Sequence, residues 1–198
     1  MELNEGIYTI QGIPVLDIVQ QFGTPLYLYD GDKIVSQLRS LRTAYSGSEV
    51  RVKYAAKACT NVSILKLIRK HGAGIEVVSL QEAQIAKKAG FTAGEILFTP
   101  SGVDFAEIVE GVEQGFAINI DNLPALEKFG EKYRNGYPCG IRMNPHILAG
   151  GNYKISTGHS NSKFGISIFQ IPQIREIVER YQMRIAGLHI HTGSEITE

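Results

Sequence analysis

Apolar positions along the chain fall into two alternating patterns. In short bursts they come every second residue or run together: VRVKYAAKA from Val50, GIEVVS from Gly74, EILFTP from Glu95, FAINID from Phe116, CGIRMN from Cys139 and RIAGLHIHT from Arg184. Between most of these bursts they recur every third or fourth position. Period two predicts strands and period 3.6 predicts helices. In DKIVSQLRSLRTAY, Ile34, Leu38, Leu41 and Tyr45 share one helical face, with Asp30 or Asp32 available as the cap. SLQEAQIAKKAG carries a capping box in Ser79 and Glu82 and ends on Gly90; DFAEIVEGVEQG repeats the device with Asp104 and Glu107 and stops at Gly115. QIPQIREIVERY places Ile174, Ile177, Val178 and Tyr181 on one face.

The first five strands begin roughly 20 to 25 residues apart, room for one strand, one helix and two short loops, so consecutive strands are expected to be parallel. Such repeats build an open doubly wound sheet or a closed (β/α)8 barrel. Strand polarity favours the barrel. One face carries Val52, Tyr54 and Ala56, then Ile75 and Val77, Phe116, Ile118 and Ile120, Ile141 and Met143, Leu188 and Ile190. The other carries Lys53, Ala55 and Lys57, then Glu76, Asn119, Arg142, His189 and His191. An open α/β sheet lies under helices on both sides and is apolar on both. A recurring polar face predicts a shared polar interior, hence a TIM-type barrel showing about six of its eight strands. Residues 1–30 form a separate N-terminal segment with one apolar run, TPLYLYD. PHILAGGNYKISTGHSNSKFGIS, after the fifth strand, is a long Gly- and Ser-rich insertion of the kind that carries function or stays disordered.

Composition adds exclusions. Twenty acidic and 20 basic residues give no net charge and no argument for nucleic acid or an acidic membrane. No apolar run reaches the ~18 residues of a membrane span, and MELNEGIYTI lacks the basic and apolar regions of a secretion signal. Cys59 and Cys139 have no metal or redox spacing and read as two reduced, buried thiols of a cytoplasmic protein.

The inward polar residues are the candidates for chemistry. Lys57, above the small Ala55, is expected to be at least partly buried. Desolvation there lowers the lysine pKa and makes the amine a nucleophile toward a carbonyl; the alternative is a lysine snorkelling to the rim. His189 and His191 project to one side at a strand end, where barrel active sites gather. They suit a metal, as in metal-dependent barrel hydrolases, or an imidazole stacked on an aromatic cofactor with Thr192, Gly193 and Ser194 donating to a polar group. Otherwise they are a satisfied buried histidine and a rim histidine. Glu76 and Arg142 are inward charges that can neutralise each other. Lys163 is a solvated loop lysine or lies near the site's mouth or a partner chain.

YAAKA around Lys57, GAGIEVVSLQE, GIRMNPH, STGHSNSKFG and GLHIHTGSE occur in this order, and together they resemble the N-terminal half of the diaminopimelate decarboxylases. These are pyridoxal-phosphate enzymes of the alanine racemase and ornithine decarboxylase fold. NPHILAGGNYKISTGH followed by SKFG favours the diaminopimelate branch. The resemblance implies that Lys57 bonds covalently to the aldehyde of pyridoxal 5'-phosphate, that His191 stacks on its ring, that Ser194 lies close to it, and that Arg142 and Glu76, with Ala55, line the floor around the lysine. It implies decarboxylation of meso-2,6-diaminopimelate to L-lysine and CO2, a homodimer for the full-length enzyme, and a C-terminal β domain against which residues 1–30 would pack. Two positions depart from the family pattern: Glu76 stands where aspartate is usual, and SLQE replaces S-x-G-E. The Gly-rich phosphate loop, the glutamate for the pyridine nitrogen and the β domain are not in these 198 residues, so the chain alone is expected to be inactive. Three readings remain: this or another basic amino-acid decarboxylase of the same fold, a metal-dependent hydrolase using His189 and His191, and a non-catalytic domain acting through dimerisation.

Overall fold

The computed structural model describes residues 1–148 and 156–194. Glu195 of the GLHIHTGSE motif and residues 149–155 of the insertion lie outside the described residues.

The chain opens with a three-stranded antiparallel sheet, β1 (Glu2–Asn4), β2 (Ile7–Ile10) and β3 (Ile13–Pro14), followed by α1 (Val15–Phe22) and α2 (Gly31–Ala44). Asp30 is the cap of α2, accepting the Lys33 N–H at 2.9 Å. Among the described side chains of residues 1–50, only Thr9 is buried. The helix there follows its local signals, with little packing behind it.

From Lys53 the expected alternation begins. β4 (Lys53–Ala55), α3 (Val62–Lys70), β5 (Gly74–Val77), α4 (Leu80–Lys88), β6 (Ile96–Phe98), α5 (Phe105–Glu113), β7 (Ala117–Ile120), α6 (Leu123–Tyr133) and β8 (Cys139–Asn144) follow in turn, then β9 (Ile166–Ser167), α7 (Ile171–Tyr181) and β10 (Ile185–Ile190). The larger sheet is parallel, in the order β10-β8-β7-β6-β5-β4, with β9 added to the end of β8. The apolar strand face is the core: Ile75, Val77, Ile96, Phe98, Ile118, Ile120, Ile141 and Met143 are buried with Leu65, Ala83, Ile108, Leu126 and Ile174 of the surrounding helices. The helices α3 and α6 are additional to those singled out in the sequence. Asn61 and Asn122 start them, each side-chain carbonyl accepting backbone N–H groups of the first turn.

The sheet is curled, and a distance decides it. β10 and β5 are separated by three strands. In a flat sheet with ~4.8 Å between strands they would lie about 19 Å apart, beyond the joint reach of two side chains. Yet His189 Nε2 of β10 is 3.8 Å from Glu76 Oε1 of β5. The polar strand faces therefore meet across an interior, giving an incomplete barrel whose edges, among the described residues, are β4 and β10.

Three local expectations are corrected. The strand from Val50 shrinks to Lys53–Ala55, and Ala56–Ala58 form a 3-10 turn, so Lys57 stands just beyond the strand. Asp104 occupies the cap position of α5 but makes no capping bond. At α4, Ser79 accepts the Glu82 N–H, while the Glu82 carboxylate reaches past Ser79 to the Val78 N–H at 2.8 Å. The cap is therefore one residue wider than the sequence pattern implied.

Candidate active site

The C-terminal ends of four sheet strands deliver the polar residues to one place. β4 runs into the turn that carries Lys57, with Ala55 as its last residue; β5 supplies Glu76, β8 supplies Arg142, and β10 supplies His189, with His191 immediately after it. Ala55, Lys57, Glu76, Thr99, Arg142, His189 and His191 line one cavity of about 30 Å³. Period-two alternation accounts for the assembly: inward positions are two apart on each strand, and the curl brings distant strands together.

Lys57 is exposed, and its expected burial is corrected. It lies on a turn past the end of an edge strand, so no second strand flanks it among the described residues. The desolvated lysine of this segment is Lys53, at the opposite end of β4. Its amine donates to Glu95 O at 2.9 Å, and burial lowers its pKa below the ordinary lysine value. Lys57 nevertheless faces the site: its positive charge acts on both His189 and His191.

Glu76 is fixed through a hydrogen-bond chain that runs across neighbouring strands. Asn119 Nδ2 donates to Thr99 Oγ1 at 3.0 Å, and the Thr99 hydroxyl donates to Glu76 Oε1 at 2.8 Å. The near neighbours of Glu76 are thus Thr99 and His189. Glu76 and Arg142 act on each other by charge without a direct ion pair: the Arg142 guanidinium lies over the Phe164 ring, 4.7 Å from its centre. Burial lowers the Arg142 pKa, while the charges of Asp121 and Glu76 oppose that shift. The site's charges are therefore dispersed among several partners rather than locked in one pair.

Both histidines are held below the ordinary imidazole value of 6.5, chiefly by burial. For His191 the Lys57 and Arg142 charges add to burial; for His189 the Glu76 carboxylate opposes it. Both are consequently neutral at pH 7. His191 Nδ1 receives the Gly193 N–H at 3.1 Å and lies 2.9 Å from Thr157 Oγ1. Ser194 is exposed just past this turn. Lys163 is also exposed, 5.2 Å from the centre of the Phe164 ring that carries Arg142 on it. The insertion therefore reaches the site through Phe164 and Thr157.

Thr99, Asn119 and Thr157 were not among the residues singled out for the site. The first two carry the inward-face signal of their strands; Thr157 sits in an insertion with no periodicity to orient it. Cys139 is buried, which raises its pKa to about 12, but Cys59 is only partly buried and lies 3.6 Å from the Tyr29 hydroxyl. This corrects the reading of two buried thiols. Among the described residues, no group of three or more His, Cys, Asp and Glu is gathered as a metal site, and no helix is long and apolar enough to cross a membrane.

The chain is 32% identical over its whole length to the diaminopimelate decarboxylase of Methanothermobacter thermautotrophicus, covering 47% of that protein. The fold superposes on the crystal structure of the Helicobacter pylori diaminopimelate decarboxylase complexed with L-lysine, with a TM-score of 0.85 and 29% identity over 93% of this chain and 48% of that one. It also matches a lysine/ornithine decarboxylase from Vibrio vulnificus complexed with putrescine, with a TM-score of 0.77 and 28% identity over 93% of this chain and 46% of that one. The chain spans about half the length of the curated relatives it matches. The family described as "Pyridoxal-dependent decarboxylase, pyridoxal binding domain" matches residues 31–198, so the chain belongs to the pyridoxal-dependent decarboxylases.

Proposed function

We propose that this chain forms the lysine-bearing part of a diaminopimelate decarboxylase, which converts meso-2,6-diaminopimelate to L-lysine and CO2 with pyridoxal 5'-phosphate. One observation carries the reading: Lys57, Glu76, Arg142 and His191 line a single cavity at the strand C-terminal ends, in a fold matched to structures of such enzymes.

The residues present fit the cofactor by their chemistry. Lys57 offers a primary amine that meets solvent at the mouth, so access of an aldehyde does not depend on the small volume beneath it. His191 offers a neutral, half-buried flat ring, and Glu76 and Arg142 offer fixed charges of opposite sign. When bound, pyridoxal phosphate supplies an aldehyde for amines and a ring that draws electrons from the bond being broken. Lys57 would hold the cofactor through its amine, whose exposed position leaves it accessible to an aldehyde. Glu76, anchored by Thr99, lies beside His189, and together with Asp121 it offsets the Arg142 and Lys57 charges; a site of both signs suits a substrate that carries both amines and carboxylates. Ala55 is the small residue beside the lysine, and Ser194, exposed beyond His191, would donate to a polar group of the cofactor.

Further parts of the reading concern the protein as a whole. Residues 1–30 expose Leu3, Ile7, Tyr8, Ile13, Leu16 and Phe22, which supports their packing against a β domain. A homodimer and a cytoplasmic location go with the same enzyme. The isolated 198-residue chain is expected to be inactive. A second reading, a decarboxylase of another basic amino acid, draws on the likeness to the Vibrio vulnificus enzyme.

The test is chemical. The chain is incubated with pyridoxal phosphate, reduced with borohydride and mapped by mass spectrometry. A pyridoxyl adduct at Lys57, abolished in Lys57→Ala, is expected. Labelling spread over surface lysines with no preference for Lys57 would end the proposal.

A further inference from the structure

We propose that Thr157 is the positioning residue of His191: its hydroxyl, together with the Gly193 N–H, holds the imidazole in one orientation with the ring proton on Nε2. The inference takes its purpose from the pyridoxal reading, in which that ring faces the cofactor beside Lys57.

The argument begins with direction. A backbone N–H can only donate, and that of Gly193 points at His191 Nδ1 from 3.1 Å. In a neutral imidazole one nitrogen carries the proton and the other accepts. Nδ1 is thereby the acceptor, and the proton belongs on Nε2. The Thr157 hydroxyl donates to His191 O at 2.8 Å, and its oxygen lies 2.9 Å from Nδ1, so its single proton reaches Nδ1 only as a shared, three-centre donor between the two acceptors. That shared contact sets the hydroxyl against the ring nitrogen and favours this rotamer over one with Nδ1 turned away. Lys57, Arg142, Glu76 and His189 are the charged and titratable groups that act on this ring. None of them is a hydrogen-bond partner of Nδ1.

The segment bearing Thr157 does not depend on that hydroxyl for its place. The Thr157 and Gly158 N–H groups donate to Thr192 O at 3.0 and 3.3 Å, the Ser156 hydroxyl reaches the same oxygen at 3.3 Å, and Ser156 bridges to Gly193. Asn144 Nδ2 fixes the next turn through His159 O at 3.0 Å. Backbone bonds thus hold the segment, and removing the hydroxyl isolates its effect on the ring. Sequence separation hid the contact: the partners are 34 positions apart.

The experiment reads the imidazole nitrogens directly, by NMR of the chain labelled with 15N-histidine, without cofactor. The measurement is made at about pH 8, above the ordinary imidazole pKa. The expected wild-type result for His191 is one set of signals, with Nδ1 unprotonated and Nε2 protonated. In Thr157→Val the two nitrogen shifts move toward each other as a second tautomer or rotamer gains population. Thr157→Ser, which keeps the hydroxyl, reads as wild type. Unchanged nitrogens in Thr157→Val, or a wild-type proton on Nδ1, would overturn the assignment. Borohydride mapping of the same samples separates the two claims. An adduct at Lys57 with unmoved His191 nitrogens sinks only the role of Thr157. Moved nitrogens with no Lys57 adduct sink the cofactor reading and the purpose given to the orientation.

Discussion

Two neighbouring strands of equal length, β8 and β10, run parallel, with one register shift between Ile185 and Gly187, and end at the same site, yet their surroundings are opposite. All six residues of β8 are buried, including Arg142 and Asn144. None of the six in β10 is, and its outward Leu188 and Ile190 are 71% and 54% exposed. β8 is paired on both edges and roofed by helices; β10 is paired only to β8 among the described residues. The difference teaches that this site is held in two ways. The Arg142 side rests on close-packed core. The histidine side rests on the Ser156–Gly158 segment behind His191, with Glu76 approaching His189 to 3.8 Å across the interior.

The comparison breaks first at the core. Ile141→Ala in β8 removes a side chain that is 2% exposed and should cost about 2–5 kcal/mol. Leu188→Ala in β10 should cost less than about 0.5 kcal/mol, as exposed substitutions do. Urea unfolding of both variants checks this; equal losses would show that β10 is covered in solution. A matched glycine pair sharpens it. Gly140 and Gly187 face each other in the β8–β10 register. A Cβ on Gly140 would strike the Asn119 side chain, while one on Gly187 meets nothing within 4 Å. Gly140→Ala should therefore lose about 1–3 kcal/mol, and Gly187→Ala should stay near wild type.

The smallest effect is electrostatic. His189 and His191 have pKa values lowered by burial from 6.5, so the unfolded chain binds protons before the folded one does. Their contribution is fully present above about pH 6.5 and is lost as the pH falls below it toward their folded pKa values. Melting temperature should accordingly drop between about pH 7 and pH 5. In a His189→Asn, His191→Asn variant that drop should be shallower; an identical slope would remove the histidines from the account.

Much of this was legible beforehand. Alternation in GIEVVS, FAINID and CGIRMN separated core from interior correctly, because a strand's two faces are fixed by geometry as local as its own residues. The Ser79 cap and the Asp30 start were readable for the same reason. The degree of burial was not. The two lysines of VRVKYAAKA look alike in pattern, and only the turn at Ala56–Ala58 together with the edge position of β4 leaves Lys57 exposed and Lys53 desolvated. The partner of Arg142 was equally hidden, because Phe164 reaches it from a non-periodic insertion.

By itself the sequence determined which side chains point inward and that an amine, two imidazoles, a carboxylate and a guanidinium share that face. The tertiary structure alone decided how tightly the sheet curls, so that Glu76 meets His189, and which loop atoms grip His191. Local periodicity is encoded within a few residues, whereas solvation and hydrogen-bond pairing depend on contacts between segments far apart in the chain.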